Sequence, residues 1–430
     1  MDNVTHAFAG LLMADATTAW IERRTGVVAD KRLRRAAVGL GVVAAELPDA
    51  DLLYSGPVVG LGKLGYLLHH RGHTHTIVFA IAAALAMWFV VLHLRTRASG
   101  VLDARERTPL LVLAVAGTLS HLLLDFTNSY GVHPFWPFDN RWVYGDSVFI
   151  VEPWIWVVAI PALLFGPRAR WSRVLLSFLL VAILAAAWTL GELTRSLALV
   201  ITVGAAVSVL GQRVLANQRQ VAVGIGAWVM VEGVFALSSW QAKRVVRTSM
   251  PTGESLAEVI VTPGAGNPFC FDGLVVSLTE SRYVVRGATI APWAAMNASS
   301  ARSTHSCRAR AGGTRFGGLR DAAPSALASS AQVTWGDEWG APRGELADLA
   351  KARCEVAAAL RFYRVPVWNR EPNGDVRLSD LRFGVGTAGF SDLSVGAGGC
   401  SLSAGAWIPP WTPPRADALV PPSTPHQPPP

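Results

Sequence analysis

Long apolar segments dominate the first 240 residues and predict the architecture of the chain. The nearly uncharged stretches are 76–94, 109–126, 147–165, 174–190 and 221–239, with a shorter one at 196–211. A helix needs roughly 17–25 such residues to cross a bilayer. Two weaker stretches, 3–21 and 36–50, contain acidic or imidazole side chains and are expected to cross only within a bundle. The pattern predicts a mostly α-helical, polytopic membrane protein with six to eight transmembrane helices.

The pattern changes after residue 250, where apolar and polar residues alternate between glycine, proline and asparagine breakers. Such alternation is typical of strands and hairpins. Residues 343–362 instead have helical periodicity. We therefore expect a smaller, β-rich α+β domain over 250–408, a flexible insertion near 298–333, and a disordered proline-rich tail at 409–430. The membrane part divides into a core at 1–165 and additional helices at 166–245.

The amount and distribution of charged residues support this assignment and predict the orientation of the helices in the membrane. Only 16% of residues are charged, and the mean hydropathy is +0.34, too apolar for an ordinary soluble protein. Fifteen Lys and Arg residues lie in four alternate loops, and four lie in the other three. This asymmetry is the positive-inside pattern. It predicts eight crossings, an outer N-terminus and an extracytoplasmic C-terminal domain, although Lys243, Arg244 and Arg247 follow the last span on the outer side.

The net charge of +8 is thus explained by topology, and we expect no nucleic-acid partner. The opening residues lack a basic segment, so no cleaved signal peptide is expected. All four cysteines, Cys270, Cys307, Cys354 and Cys400, fall in the C-terminal domain. An extracytoplasmic location would favour one or two disulfides. Four free thiols are the alternative.

Titratable residues from five separate segments converge on the predicted outer face. They are His6; Glu46, Asp49 and Asp51; His69, His70, His73 and His75; His121 and Asp125; and Asp146 and Glu152. Nothing couples the arginine counts of the loops to these positions, so the convergence is an independent observation. Ionisable groups at membrane depth are costly and indicate a functional site.

The types and spacing of these residues favour a metal centre. His121 and Asp125 are four residues apart and share one helix face. Imidazole and carboxylate without thiolate suit zinc, and also manganese or iron. The predicted ligands are His6, Asp49, His70, His75, His121 and Asp125. Taken singly, each has an ordinary explanation, such as a core hydrogen bond for the His-x-x-x-Asp pair or a solvated loop for the histidine run.

Four motifs of the first 140 residues resemble the YdjM-like inner-membrane proteins. They are "VTHAFAG" at 4–10, "ELPDAD" at 46–51, "HRGHTHT" at 70–76 and "GTLSHLLLDFTNSYGVHPFWPF" at 117–138. The resemblance implies a multi-pass inner-membrane protein with metal-dependent hydrolase activity. The family's histidine motif varies at the position of His73, which favours His70 and His75 as ligands.

The order of these residues is also similar to that in the zinc-dependent phospholipase C and single-strand nuclease superfamily, with His133 in the last place. That superfamily has a further His-x-x-x-Asp or His-x-x-x-Glu, which this sequence lacks. Asp146 and Glu152 are the candidates to replace it. One or two divalent ions are therefore expected instead of three.

The leading hypothesis is metal-assisted hydrolysis of a phosphoester or a lipid-derived small molecule. Arg71 is predicted to hold an anionic substrate group, and Asp51 or Glu152 to act as general base. An aromatic run from Phe135 to Tyr144 is typical of an interfacial belt. The alternatives are a metal or ion transporter that uses the same cluster, and a non-enzymatic membrane sensor that works through its β-rich domain.

Overall fold

A computed structural model describes residues 1–420 except positions 57, 100–102, 192, 216, 252, 295–306, 308–312, 387–388, 397, 399, 401 and 403–404. The helices before residue 250 are α1 (Asn3–Thr25), α2 (Lys31–Glu46), α3 (Leu52–Ser55), α4 (Lys63–His69), α5 (Ile77–Ser99), α6 (Ala104–Phe126), α7 (Pro153–Leu164), α8 (Arg170–Thr189), α9 (Arg195–Arg213) and α10 (Asn217–Thr248). Two 3₁₀ turns, Leu47–Asp51 and His73–His75, interrupt the early helices.

Among the described residues, five helices are long and apolar enough to cross a membrane: α5, α6, α8, α9 and α10. This confirms the predicted polytopic helical fold. Their outer faces carry large exposed side chains, such as Phe89 on α5 and Phe178 on α8, each 66% exposed. In a soluble protein such surfaces would be a liability, whereas in a bilayer they contact lipid tails.

The two weaker predicted spans form helices packed closely within the bundle. A Cβ atom at Gly10 of α1 would lie 2.4 Å from the Gly41 carbonyl oxygen of α2. Small residues permit this close helix–helix approach. Deeper in α1, Asp15 forms an ion pair of 2.6 Å with Arg168, which follows α7.

Helix α7 is shorter than the apolar stretch 147–165 suggests, because Glu152 caps its first turn and Pro153 occupies its first position. The chain before it, residues 127–152, lacks long helices and lies against the C-terminal domain.

The C-terminal domain is β-rich, as predicted. Its strands are β1 (Ser255–Gly264), β2 (Asn267–Leu278), β3 (Arg282–Ile290), β4 (Ala323–Pro324), β5 (Val333–Pro342), β6 (Pro366–Arg370), β7 (Val376–Asp380) and β8 (Leu393–Val395). They form antiparallel sheets with the orders β1-β2-β3-β5-β4 and β6-β7-β8. Three short helices accompany them: α11 (Gly313–Phe316), α12 (Glu345–Ala352) and α13 (Cys354–Ala359).

All four cysteines are paired, as Cys270–Cys307 and Cys354–Cys400. The expected flexible insertion lies outside the described residues over 295–312, apart from Cys307. Its remainder, from residue 313 onward, is structured because the Phe316 side chain is buried against Gly287 of the sheet.

The tail differs from its predicted disorder over 409–420. The Trp411 side chain is fully buried and its indole N–H donates to the Leu68 carbonyl oxygen at 2.7 Å. Ala418 is also buried. Trp411 and Ala418 thus attach this proline-rich segment to the domain and to α4. Residues 421–430 lie outside the described part of the chain.

The β-rich domain rests on the end of the helical bundle that carries the predicted site. Arg382 donates to the Ser129 carbonyl oxygen at 2.5 Å, and Arg364 pairs with Asp146. A common apolar core joins Leu64, Leu67 and Leu68 of α4 to residues of both sheets. The predicted site and the β-rich domain therefore share one side of the bundle.

Candidate metal centre

Four side chains from three segments meet in a buried cage at the ends of the helices. Asp49 lies in the 3₁₀ turn after α2, His75 in the turn before α5, and His121 and Asp125 on the last turns of α6. The Nε2 atoms of the two histidines are 3.1 Å apart. His75 Nε2 lies 3.4 Å from Asp49 Oδ1 and 3.2 Å from Asp125 Oδ2. His121 Nε2 lies 3.5 Å and 3.4 Å from the same two oxygens.

These separations fit a small divalent ion. The edge of a regular tetrahedron is about 1.63 times its centre-to-corner distance, so zinc bonds of about 2.0–2.1 Å require donors about 3.3–3.4 Å apart. The five measured separations, 3.1–3.5 Å, bracket that value. Asp49 Oδ1 is buried and accepts no hydrogen bond from the described residues, whereas the buried Asp125 Oδ2 already has ion-pair contacts with Arg71 Nε at 3.0 Å and with the two histidine Nε2 atoms. Buried acceptors without donors are costly unless a cation satisfies them.

The hydrogen bonds on the far sides of the two imidazoles orient their Nε2 atoms toward the cage. His121 Nδ1 lies 2.5 Å from the Ala45 carbonyl oxygen, to which it donates. His75 Nδ1 lies 3.2 Å from Asp51 Oδ2. An imidazole that donates through Nδ1 directs the lone pair of Nε2 toward the opposite side, here into the cage. Both rings therefore present the atom that a metal binds.

Asp51 organises the loop that carries His75. Its carboxylate accepts from the Arg71 backbone N–H at 2.8 Å and the Thr74 hydroxyl at 3.0 Å, and lies 2.9 Å from His70 Nδ1. Burial alone would raise the pKa of Asp51, but the hydrogen bonds from His70 and His75 lower it to about 2. Asp51 is thus an ionised carboxylate whose oxygens are already engaged, an arrangement that favours an orienting role over general-base action.

The carboxylates give the cage a strongly negative potential. Burial would lower the pKa of His75, but the neighbouring carboxylates of Asp125, Asp49 and Asp51 raise it to about 10. Burial would likewise raise the pKa of Asp49, yet His121 and His75 hold it below its ordinary value. Without a metal ion, the cage therefore holds a proton, as expected of a cation site.

Two predicted ligands flank the cage. The His6 ring stacks on His121 with centroids 3.9 Å apart, and its Nε2 lies 3.3 Å from Asp125 Oδ1. Neither nitrogen of His6 has a hydrogen-bond partner among the described residues. His70 joins Asp49 and Asp51 in a second group of donors with metal-binding proximity. The six predicted ligands are thus brought together, four around one point and two beside it.

Comparison with known proteins assigns this part of the chain. The YdjM inner membrane protein family profile matches residues 1–196. Inner membrane protein YbcI of Escherichia coli (strain K12) is 31% identical over 156 residues, which cover 31% of this chain and 82% of that protein. The chain belongs to the YdjM inner membrane protein family. With its apolar helices, it is a multi-pass inner-membrane protein. No solved structure matches it.

All four cage residues lie in the segment that the YdjM profile matches, whereas nearly all of α9, the whole of α10 and the whole β-rich domain lie beyond it. Arg71 also lies in the matched segment, but its side chain is buried. Its Nε is 3.0 Å from Asp125 Oδ2, and its Nη1 donates to Asn128 Oδ1 at 3.0 Å. The guanidinium thus compensates a ligand carboxylate, and the backbone at Arg71 has a positive φ of 58° that the Asp51 hydrogen bond supports.

The remaining predicted residues lie elsewhere in this YdjM-family protein. Glu152 accepts from the backbone N–H groups of Trp154 and Gly266, at 3.2 and 3.1 Å, and so connects α7 to the β1–β2 turn. Asp146 binds Arg364 and Lys243. These contacts give both residues structural partners instead of a place at the cage, and the general-base role of Glu152 stays a prediction.

His133 stacks on Trp411 and lies close to Trp142, with centroids 3.7 Å apart in each case. It is therefore part of an aromatic cluster and not of the four-residue cage. Sequence reasoning missed Thr74, Asn128 and the Ala45 carbonyl, which orient the site residues. Thr74 lies inside the quoted histidine motif, but the other two carry no sequence signal.

Proposed function

We propose that this protein is a membrane-embedded, metal-dependent hydrolase of a phosphoester or lipid-derived substrate at the outer face of the inner membrane. The observation that carries the proposal is the cage of Asp49, His75, His121 and Asp125, with zinc-like donor spacing and a buried Asp49 oxygen that accepts no hydrogen bond from the described residues. Zinc fits this donor set best, and manganese or iron would also accept it.

A bound divalent ion supplies a Lewis acid that activates water and polarises a phosphoryl or acyl oxygen. The chain's own residues have separable tasks around it. Asp51 and the Ala45 carbonyl orient the two imidazoles, and Arg71 offsets the charge of Asp125. Asp49 has the most exposed ligand side chain, 12% accessible, so the edge near Asp49 is the natural entry for substrate.

A second ion has a candidate position at the group of Asp49, Asp51 and His70, where Asp49 would be shared with the first. We propose one or two ions, as the sequence suggests. Phe135 and Phe138 are exposed on the same side of the bundle, the latter by 89%. Exposed aromatic rings at this level are typical of the lipid interface, which supports a substrate drawn from the bilayer surface.

The arrangement of the other buried acids favours hydrolysis over transport. Within the described part of the chain, Asp15 is paired with Arg168 near the middle of α1, and the Glu232 carboxylate on α10 accepts a hydrogen bond from the Trp228 indole N–H. Neither residue extends the metal cage into a line of ligands across the bundle. A conduction path would need such a line.

The hydrolase proposal is tested with purified full-length protein loaded with zinc or manganese. Bis(p-nitrophenyl) phosphate and phosphatidylglycerol vesicles are the probes, and Asp125→Asn is compared with wild type and with His93→Gln, a histidine on the exposed face of α5. We expect metal-dependent product release by wild type and His93→Gln, and a fall of about a hundredfold or more in Asp125→Asn. A wild-type protein that binds metal yet cleaves neither probe would contradict hydrolysis of these substrate classes while leaving the metal centre standing.

We also propose that the β-rich domain, with the metal centre, faces the extracytoplasmic side. Its two disulfides and the basic loops at the opposite end of the bundle support this orientation. In intact cells, a membrane-impermeant maleimide applied after mild reduction is expected to label Cys354 and Cys400. A cysteine introduced at Ser99, the last residue of α5, should stay unlabelled until the cells are lysed. The reverse labelling pattern would place the domain in the cytoplasm.

A further inference from the structure

The basic residues at the outer end of α10 conflict with the positive-inside pattern, and the structure gives two of them a common location. Lys243 and Arg247 line a polar pocket of about 330 Å³ between α10 and strand β1. Tyr144, Glu258 and Arg364 complete its wall. Lys243 is partly exposed, and Arg247 is exposed and makes no ion pair within the described residues.

The pocket has an excess of positive charge. Arg364 binds both Asp146 and Glu258, Lys243 binds Asp146 at 2.8 Å, and Arg415 binds Glu258 at 2.7 Å. Arg415 lies beside the pocket and is also 3.5 Å from Asp417. The cations are therefore Lys243, Arg247, Arg364 and Arg415, and the anions are Asp146, Glu258 and Asp417. Four positive groups against three negative ones leave a net charge of about +1, which suits an anion.

An apolar groove lies further toward the N-terminal end of the same helix, α10. It has a volume of about 500 Å³ between α1, α6 and α10, and its walls include Leu12, Met13, Leu123, Leu124, Ile225 and Val229. Its lining also includes Thr127 and Ser147, and Ser147 immediately follows Asp146, the partner of Lys243. Glu232 also lines the groove, where the Trp228 indole N–H donates to its carboxylate at 3.3 Å.

One face of α10 connects the groove to the pocket. Val229, Gly233 and Ala236 line the groove, and Lys243 and Arg247 line the pocket. Their spacing of three, four or seven residues puts them on one side of a helix. At 1.5 Å per residue, the groove from Ile225 to Ala236 is roughly 16 Å long, about one leaflet of a hydrocarbon core about 30 Å thick. The pocket then lies at headgroup level.

We propose that the groove and pocket together bind one anionic phospholipid of the outer leaflet. An acyl chain occupies the groove, and the phosphate lies between Lys243 and Arg247. Binding of the phosphate would explain why basic residues lie on the side of the membrane where the positive-inside pattern disfavours them. The site is separate from the metal centre, since Leu123 and Leu124 line the groove whereas His121 and Asp125 point into the cage. The proposal therefore does not depend on the proposed hydrolase activity.

Detergent-solubilised full-length protein, titrated with phosphatidylglycerol or phosphatidylcholine and observed by native mass spectrometry, tests this site. Arg247→Gln removes the unpaired cation, and Arg244→Gln is its control, because Arg244 instead lies over the Trp240 ring. Gly233→Leu fills the groove, and Gly226→Leu is its control. An added Cβ meets nothing within 4 Å at either glycine, so neither change causes a steric clash at that atom.

We expect wild type to prefer phosphatidylglycerol, Arg247→Gln to bind it about fivefold more weakly, and Gly233→Leu to lose retention of both lipids. Both controls should behave as wild type. Equal binding of the two lipids by wild type, or no effect of Arg247→Gln, would overturn the headgroup assignment. Retention unchanged in Gly233→Leu, or glycerol phosphate binding as tightly as the lipid, would overturn the groove as the acyl-chain site.

Discussion

Replacement of His75 by alanine is expected to weaken zinc binding on the order of a hundredfold to a thousandfold. Structural zinc sites with four protein ligands have apparent binding free energies of about 10–16 kcal/mol, so one ligand accounts for about 3–4 kcal/mol. His75 is the ligand with the most contacts in the cage, since its ring lies near Asp49, Asp51, Asp125 and His121. Competition with a chelator of known affinity, followed by metal analysis of the protein, measures the loss.

Asp51→Asn provides a graded comparison with His75→Ala. The asparagine amide lacks the negative charge that attracts the His75 N–H, but all four donor atoms of the cage are still present. We therefore expect the zinc affinity to fall about tenfold to a hundredfold. His93→Ala, on the exposed face of α5, should bind as wild type. If Asp51→Asn lost as much affinity as His75→Ala, Asp51 would have to be a ligand itself.

Arg364→Ala is expected to destabilise the folded protein by about 3–5 kcal/mol, because it removes the buried cation shared by Asp146 and Glu258 and leaves each carboxylate with one remaining cation, Lys243 or Arg415. The Arg364 guanidinium binds Asp146 through two N–H groups, binds Glu258 at 2.7 Å, and lies over Tyr144 at 3.8 Å. It is the main polar connection between the β-rich domain and the loop after α6. Thermal unfolding in detergent, followed by tryptophan fluorescence, measures the change.

Arg370→Ala is the matched control, since Arg370 forms an exposed ion pair with Glu345 at 2.7 Å on the same domain. Exposed pairs contribute about 0–1 kcal/mol. Equal effects of the two substitutions would contradict a buried coupling.

Burial would raise the pKa of Asp146, but Arg364 and Lys243 hold it below its ordinary value. The stabilisation is thus present at neutral pH and is lost as the pH falls through this lowered pKa, and Arg364→Ala should reduce that acid sensitivity.

The sequence predicted which residues form the cage because their signals are local. His121 and Asp125 lie four residues apart on an apolar helix, and His75 lies three residues after Gly72 and next to a predicted span, so hydropathy and the loop charges together predicted one common membrane face. Asp49 followed from the proline turn at the end of α2. The polytopic helical bundle and the β-rich domain could also be predicted, because the sequence changes sharply from long apolar segments to alternating apolar and polar residues.

The roles of other residues depend on long-range contacts that no local pattern encodes. Arg71 was expected to face a substrate, but Asn128 and the carboxylate of Asp125 hold it inside the protein. Glu152 sits at the start of α7, where its capping bond and the Gly266 N–H use both carboxylate oxygens. The proline-rich segment after residue 408 indicated disorder by composition, yet the buried area of Trp411 outweighs that tendency.

Trp411 also determines when the fold can be completed during synthesis. It donates to Leu68, which precedes it by 343 residues, and it packs against Gly72 of the loop that carries His75. At about 5–20 residues per second, that stretch takes roughly 20–70 s to translate. For this interval the helices can be inserted while the loop still lacks its outer packing, so the cage is most accessible to a metal ion before the β-rich domain has folded over it.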